Sequence, residues 1–338
     1  KPEYVVNFME FIAQELREYM AKLGFRSIDE MIGRVDKLKK KEHLNNWKAE
    51  RVDLSLILDK SQINSDNGVI FNEDKKFDHK LNEVKDSTVL LELAKPALDN
   101  KEKVKINMRV LHDVKNPNTS VEMFGKKMKA PIFAAPVSGT TLNMGGKISE
   151  RDYIEPVVKG CIDSGVYAMV GDTAVDEFLL ENLSVLKEYN GQGIVFIKPW
   201  ENDDIINKIK LAEESNAIAV GVDIDACGLV TLSMHGKKVV PKTVEDLRKL
   251  KNSTKLPFIV KGIMTVEDAL MAVETGVDAI VISNHGGRVL DCTPGVCEVI
   301  PSIAKAVKGK ITILADGGVR TGVDVVKMIG LGADAVLI

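Results

Sequence analysis

The sequence predicts an α/β protein: a (β/α)8 barrel of the TIM type carrying an N-terminal, mainly helical extension. Three observations lead there. Short β-rich runs recur eight times between residues 131 and 338, with helical patterns between them. The runs are apolar throughout rather than alternating, so each strand is expected to be covered on both faces, as in parallel sheets. Polar, charged or glycine-rich residues follow the runs directly, at the end where such a barrel carries its chemistry. A doubly wound open sheet is the alternative, since strand counting from sequence can err by one or two.

The N-terminal part, residues 1–105, opens with apolar positions Val5, Phe8, Met9, Ile12, Leu16, Tyr19, Met20 and Leu23 spaced by three and four. This stripe predicts an amphipathic helix over Tyr4 to Leu23, stopped by Gly24. A second short helix is expected over Ser27 to Ile32, with Ser27 as N-cap and Glu30 completing a capping box. Lys37 to Lys41 reads as a solvated loop or helix face, and residues 59–87 as polar loop. The barrel, residues 106–338, has expected strands at Pro131–Pro136, Tyr167–Gly171, Ile194–Lys198 and Ala217–Asp223. Four more follow at Pro257–Lys261, Ala279–Ser283, Ile311–Ala315 and Ala335–Ile338. Helical patterns cover Val244–Lys251, Val266–Glu274, Pro301–Val307 and Val323–Ile329. The chain starts at Lys1 rather than Met and stops at Ile338 inside an apolar run, so a fragment truncated after strand eight is expected.

Composition removes several functional classes. With 46 Lys+Arg against 49 Asp+Glu the net charge is −3, unlike that of a basic nucleic-acid binder. The four cysteines, Cys161, Cys227, Cys292 and Cys297, form no CxxC pair and are expected to be free thiols. His43, His79, His112 and His235 lie in polar surroundings without metal-like spacing, so surface roles and no metal site are expected. No apolar run reaches the length of a membrane span and no signal peptide opens the chain, which predicts a cytoplasmic protein without membrane contact; a homo-oligomer is an open alternative to a monomer.

The residues after the strands form a chemically coherent set. The first run ends in Pro136-Val137-Ser138-Gly139, the third in Lys198, and the fourth in Asp223 and Asp225. The fifth ends in Lys261-Gly262, the sixth in Ser283-Asn284-His285-Gly286-Gly287-Arg288, and the seventh in Asp316-Gly317-Gly318-Val319-Arg320. Singly, a strand-end lysine snorkels to water and a Gly-Gly serves a tight turn. Together at one rim they suggest more. Backbone amides at Gly317 and Gly318 with the Arg320 guanidinium suit a phosphate. Asp316 can accept from ribityl hydroxyls, and Lys261 can stabilise an anion on a bound ring. His285 suits a general base, Asp223 can orient its imidazole, and Arg288 can hold a carboxylate through two parallel hydrogen bonds. The set points to a flavin enzyme acting on a small acid. The stretch Asp225 to Thr243 is a candidate lid.

These motifs carry a resemblance. Val260-Lys261-Gly262, SNHGGRVLD over Ser283–Asp291 and ADGGVRTGVDVVK over Ala315–Lys327 resemble the FMN-dependent 2-hydroxy-acid oxidase and dehydrogenase family, which includes glycolate oxidase, lactate oxidase and flavocytochrome b2. The resemblance covers about 107–338. It implies FMN as cofactor, Lys261 at the flavin N1/O2 edge and Ser138 near N5/O4. It implies His285 as base partnered by Asp223, Arg288 as ligand of the substrate carboxylate, and Asp316, Gly317, Gly318 and Arg320 around the ribityl phosphate. Pro136, Val137, Gly171 and Ser283 complete the expected cofactor set. The implied reaction takes a small (S)-2-hydroxy acid to the 2-oxo acid, with hydride to flavin N5 and electrons onward to an acceptor. The sequence departs from the family at Phe196 and Lys198, where Gln and Tyr are usual, and at Gly221, where Thr is usual. No arginine stands in Ala226–Val230, no substrate tyrosine can be placed in the N-terminal part, and the chain stops before the Gly-Arg pair usual after strand eight. Lys198 is therefore a candidate second contact for the carboxylate. Alternatives are a flavin-dependent isomerase of the type 2 isopentenyl-diphosphate isomerase kind and a non-catalytic FMN-binding fragment. Tyr4 to Leu38, with Val52–Leu58, resembles the segment that follows the FMN barrel in the large subunit of glutamate synthase, so a fusion is a further possibility.

Overall fold

The computed structural model describes residues 2–41, 53–55, 57–59, 117–143, 145–229, 232 and 235–338. Eight parallel strands close a barrel: β3 (Ile132–Ala134), β4 (Tyr167–Gly171), β5 (Gly193–Ile197), β6 (Ala219–Asp223), β7 (Phe258–Ile263), β8 (Ala279–Ile282), β9 (Thr312–Ala315) and β10 (Ala335–Leu337). Each predicted run overlaps one of them, β5 starting one residue early and β7 running two residues further, and β10 pairs with both β9 and β3, so the sheet is closed rather than open. β4, β5, β6, β8 and β10 are all but wholly buried, as runs without alternation require. Phe133, Phe196 and Phe258 are among the largest fully enclosed side chains of the core.

Outer helices follow the strands. The one after β3 spans Glu150–Ser164, capped by Ser149, whose side chain accepts from Asp152 N. Those after β4 to β9 span Asp176–Glu188, Asn202–Glu214, Val244–Asn252, Val266–Thr275, Val296–Val307 and Gly322–Leu331. The pattern over Pro301–Val307 marks only the second half of its helix, because Pro301 reads as a start although it lies within the helix.

Helix α1 spans Pro2–Leu23 and buries Met9, Ile12, Leu16 and Met20, the core of the predicted stripe. Gly24, at φ 83°, ends it, and Phe25 N returns to Met20 O at 2.9 Å. Helix α2, Ile28–Met31, has the predicted Ser27 cap. The other half of the expected capping box is displaced by one residue: Glu30 accepts from Arg26 N at 2.8 Å. α1 is not detached from the barrel; it packs on the helices Glu150–Ser164 and Gly322–Leu331. The predicted boundary at 105/106, the loop over 60–87 and the segment 42–52 lie outside the described residues.

A hairpin absent from the sequence reading precedes the barrel: β1 (Val121–Met123) and β2 (Lys126–Met128), antiparallel. Its turn sets Phe124 at φ 51° and Gly125 at φ 70°, both left-handed. Such turns are usually announced by Asn-Gly or Asp-Gly; a phenylalanine there carries no signal. Its ring lies 6.4 Å from that of Phe133, and packing holds the strained backbone. Among the described residues no helix is long and apolar enough to cross a membrane.

Candidate active site

The strand ends converge on one cleft of about 660 Å³ at the C-terminal face of the barrel. Pro136, Val137, Ser138, Lys198, Asp223, Lys261, His285, Arg288, Asp316, Gly317, Gly318 and Arg320 all line it, so twelve expected site residues meet around one space.

Its floor is a buried charge network. Asp223, at the end of β6, accepts from Lys261 Nζ at 3.1 Å and from Lys198 Nζ. Lys261 Nζ also stands 3.6 Å from Asp316. Burial alone would lift the Asp223 carboxyl, but Lys198, Lys261 and His285 hold it well below the ordinary carboxylate range. Burial pulls Lys261 down, yet Asp223, Asp316 and Asp225 outweigh that and keep its ammonium above the usual lysine value. Lys261 is thus a fixed positive charge in the cleft floor.

His285 follows β8 with φ 56°, a left-handed backbone for a non-glycine residue. Its N–H donates to Ser283 Oγ at 3.2 Å, and Ser283 Oγ donates to Asp316 at 2.9 Å, which fixes the strained turn. The expected histidine partner, Asp223, stands near the ring, and a second aspartate stands nearer. His285 Nδ1 is hydrogen-bonded to Asp225 Oδ1 at 3.1 Å, while Asp223 Oδ1 stands at 3.6 Å and serves the lysines. Gly262 makes this possible. It sits in a β-bulge after Lys261 at φ 107°, and a Cβ there would lie 2.6 Å from Asp225 Cβ. Burial pushes the Asp225 carboxyl up, with the neighbouring Asp223 charge adding to the effect against the His285 hydrogen bond. Donor atoms of Asp223, Asp225 and His285 lie within 4.8 Å of one another, but two lysine ammonium groups already neutralise Asp223.

Arg288 Nε donates to His285 O at 3.1 Å, which ties the guanidinium to the histidine turn. Among the described residues its two terminal nitrogens carry no partner. The Arg320 side chain rests on Val319 O at 2.8 Å beside Gly317 and Gly318.

Two expected cofactor residues stand behind the cleft wall. Gly171 is buried against the chain after β3, where a Cβ would lie 2.6 Å from Pro136 O, so it serves close packing. Ser283 is fully buried and braces His285 and Asp316. The Ser138 hydroxyl is committed too, donating to Glu150 Oε1 at 2.5 Å. Glu150 also accepts from Gly139 N and Thr140 N, and so fixes the loop after β3. Sequence reading missed Glu150 and Asp172, which accepts from Lys198 N, Trp200 Nε1 and Lys208 Nζ. Neither carries a local signal, because, apart from Thr173 N on Asp172, the partners lie 10 to 36 residues away.

Phe196 and Gly221 form a complementary pair. Phe196 is 2% exposed, and a Cβ at Gly221 would stand 2.6 Å from its ring. The proposed lid contributes Leu229, Leu232 and His235 to the cleft, so His235 lies at the site rather than on a remote surface. Residues 230, 231, 233 and 234 of the lid, and His43, His79 and His112, lie outside the described residues. The cysteines are free, and burial pushes the Cys227 thiol up, away from activation.

A parallel barrel with a buried ammonium, a carboxylate-held histidine and a glycine-arginine turn at its C-terminal rim is the arrangement of a flavin-dependent oxidoreductase class. The chain belongs to the FMN-dependent dehydrogenase family, whose model matches residues 94–231 and 228–338. A peroxisomal (S)-2-hydroxyacid oxidase of Arabidopsis thaliana is 33% identical over 68% of this chain and 70% of its own length. An L-lactate oxidase of Lysinibacillus sphaericus is 31% identical over 70% of each chain. Among solved structures, a mandelate oxidase variant bearing a monooxide FMN adduct aligns with TM-score 0.52 and 28% identity, over 65% of this chain and 68% of its own.

The residues present fit FMN. Among the described residues Asp316 Oδ1 is buried without a hydrogen-bond partner, an acceptor left over in the wall of a cleft of ligand size. Asp316, Gly317, Gly318 and Arg320 would hold the ribityl phosphate, and Lys261 the ring.

Proposed function

We propose that this enzyme oxidises a small (S)-2-hydroxy acid, of the lactate or glycolate kind, to the 2-oxo acid. One observation carries the reading: His285, held by Asp225, shares its cleft with the Lys261 ammonium and with an Arg288 fork whose terminal nitrogens have no partner among the described residues. Arg288 binds the substrate carboxylate through two parallel hydrogen bonds. Lys198, tied to Asp223 and only 13% exposed, supplies a second cation beside it. His285 removes the hydroxyl proton through Nε2, and the Asp225 carboxylate stabilises the imidazolium that forms. Bound FMN supplies the two-electron acceptor that takes the α-hydrogen, and an electron acceptor is the second substrate. A diphosphate substrate, as the isomerase alternative requires, fits less well, because it calls for more cations than a cleft in which Lys198 and Lys261 share the Asp223 carboxylate.

The purified protein should show flavin absorbance that anaerobic lactate or glycolate bleaches. Bound flavin that no 2-hydroxy acid bleaches would make the chain a non-catalytic flavin binder.

A further inference from the structure

Helix α1 is seated between two barrel helices distant from each other in the chain. It packs against Glu150–Ser164, which follows β3, and Gly322–Leu331, which follows β9. Because β10 closes the barrel between β9 and β3, the space between those helices is the eighth position of the outer ring. We propose that α1 serves as the eighth outer helix and that Glu15 on it is a positioning residue for the phosphate end of the FMN site. The proposal rests on reading Gly317–Arg320 as the phosphate turn.

The seating is close on both sides. A Cβ at Gly160 would stand 2.5 Å from Val5 Cβ, and one at Gly322 would stand 2.4 Å from the backbone N of Leu16. The second contact is with backbone, which cannot rotate away, so α1 has one depth and register against the helix that follows the phosphate turn. Glu15 uses that register. Its Oε2 accepts from Gly322 N at 2.8 Å across 307 residues of sequence. The preceding amides are held from within: Asp324 accepts from Arg320 N at 3.0 Å and Thr321 N at 3.1 Å. Three successive amides after the turn are therefore fixed by carboxylates, and Glu15 supplies the tie from outside that helix. Without it, Gly322 N loses its acceptor and the turn its anchor to the neighbouring helix.

The experiment compares FMN with riboflavin, which lacks the phosphate, in binding titrations of the flavin-free full chain. Glu15→Ala should weaken FMN about 3- to 10-fold, the effect of part of one charge-assisted hydrogen bond, and leave riboflavin unchanged. Glu15→Gln keeps an acceptor and should restore most of the FMN affinity. Hydrogen exchange over 317–322 should rise in Glu15→Ala and remain low in Glu15→Gln. Arg320→Ala should also weaken FMN selectively. Equal loss for both ligands would make Glu15 merely structural, and an unchanged FMN affinity in Glu15→Ala beside a selective loss in Arg320→Ala would overturn its positioning role. If Arg320→Ala leaves the FMN preference intact, the phosphate-turn reading fails and this inference falls with it.

Discussion

Asp223→Asn and Asp225→Asn should separate stability from catalysis, although the two aspartates are two residues apart and both lie near His285. Asp225 holds His285 Nδ1 through a bond of 3.1 Å. A hydrogen bond between charged groups contributes about 1.5–3 kcal/mol, so Asp225→Asn should lower kcat by about 10- to 150-fold. Its effect on stability has the opposite sign. The Asp225 carboxyl is pushed up on folding, so the native state binds the extra proton and the charged form costs stability above its folded pKa. Acidification through that window relieves the cost, and asparagine removes it. Asp223 behaves in reverse. Its carboxyl is held well below the ordinary range, so it contributes stability above about pH 4 that is lost only as pH falls through its folded pKa. Asp223→Asn removes the carboxylate shared by two lysines whose side chains are 6% and 13% exposed, leaving Lys261 with Asp316 at 3.6 Å. Breaking a buried pair costs about 3–5 kcal/mol, which for a chain of this size lowers Tm by roughly 4 to 7 °C. Stopped-flow flavin reduction and thermal melts across pH 4–8 measure both effects. A stable but inactive Asp223→Asn enzyme beside an active Asp225→Asn enzyme would refute the assignment and return the histidine to Asp223.

Three further outcomes are expected. His285→Gln should retain flavin while turnover falls roughly 10²- to 10⁴-fold; wild-type rates of flavin reduction would remove His285 from the chemistry. Arg288→Lys should raise KM for lactate and lower kcat, because a point charge cannot reproduce the planar fork, whereas lactate methyl ester should be inert with either enzyme. Gly221→Thr should destabilise by about 1–3 kcal/mol through overlap with the Phe196 ring, and Phe196→Gln in the same chain should relieve part of that, as a double-mutant cycle on denaturation midpoints would show.

The barrel and most of its chemistry are legible in the sequence because both follow from local pattern. A parallel strand buried on both faces must be an uninterrupted apolar run, so β3 to β10 announce themselves, and residues just beyond each run must fall on one rim. His285, Arg288, Lys261 and Arg320 are visible for that reason. What only tertiary structure decides is how these groups divide their partners. Asp223 and Asp225 are equivalent as letters; the bulge at Gly262 brings Asp225 to the imidazole and leaves Asp223 to two lysines. Likewise the Ser138 hydroxyl looks free in sequence, but Glu150 takes it, and Ser283 braces the site from behind its wall. The stripe of α1 predicts that a helix will bury one face, yet not which face of the barrel receives it. That depends on glycines at 160 and 322, whose missing side chains leave the only depth at which Glu15 can reach an amide 307 residues away.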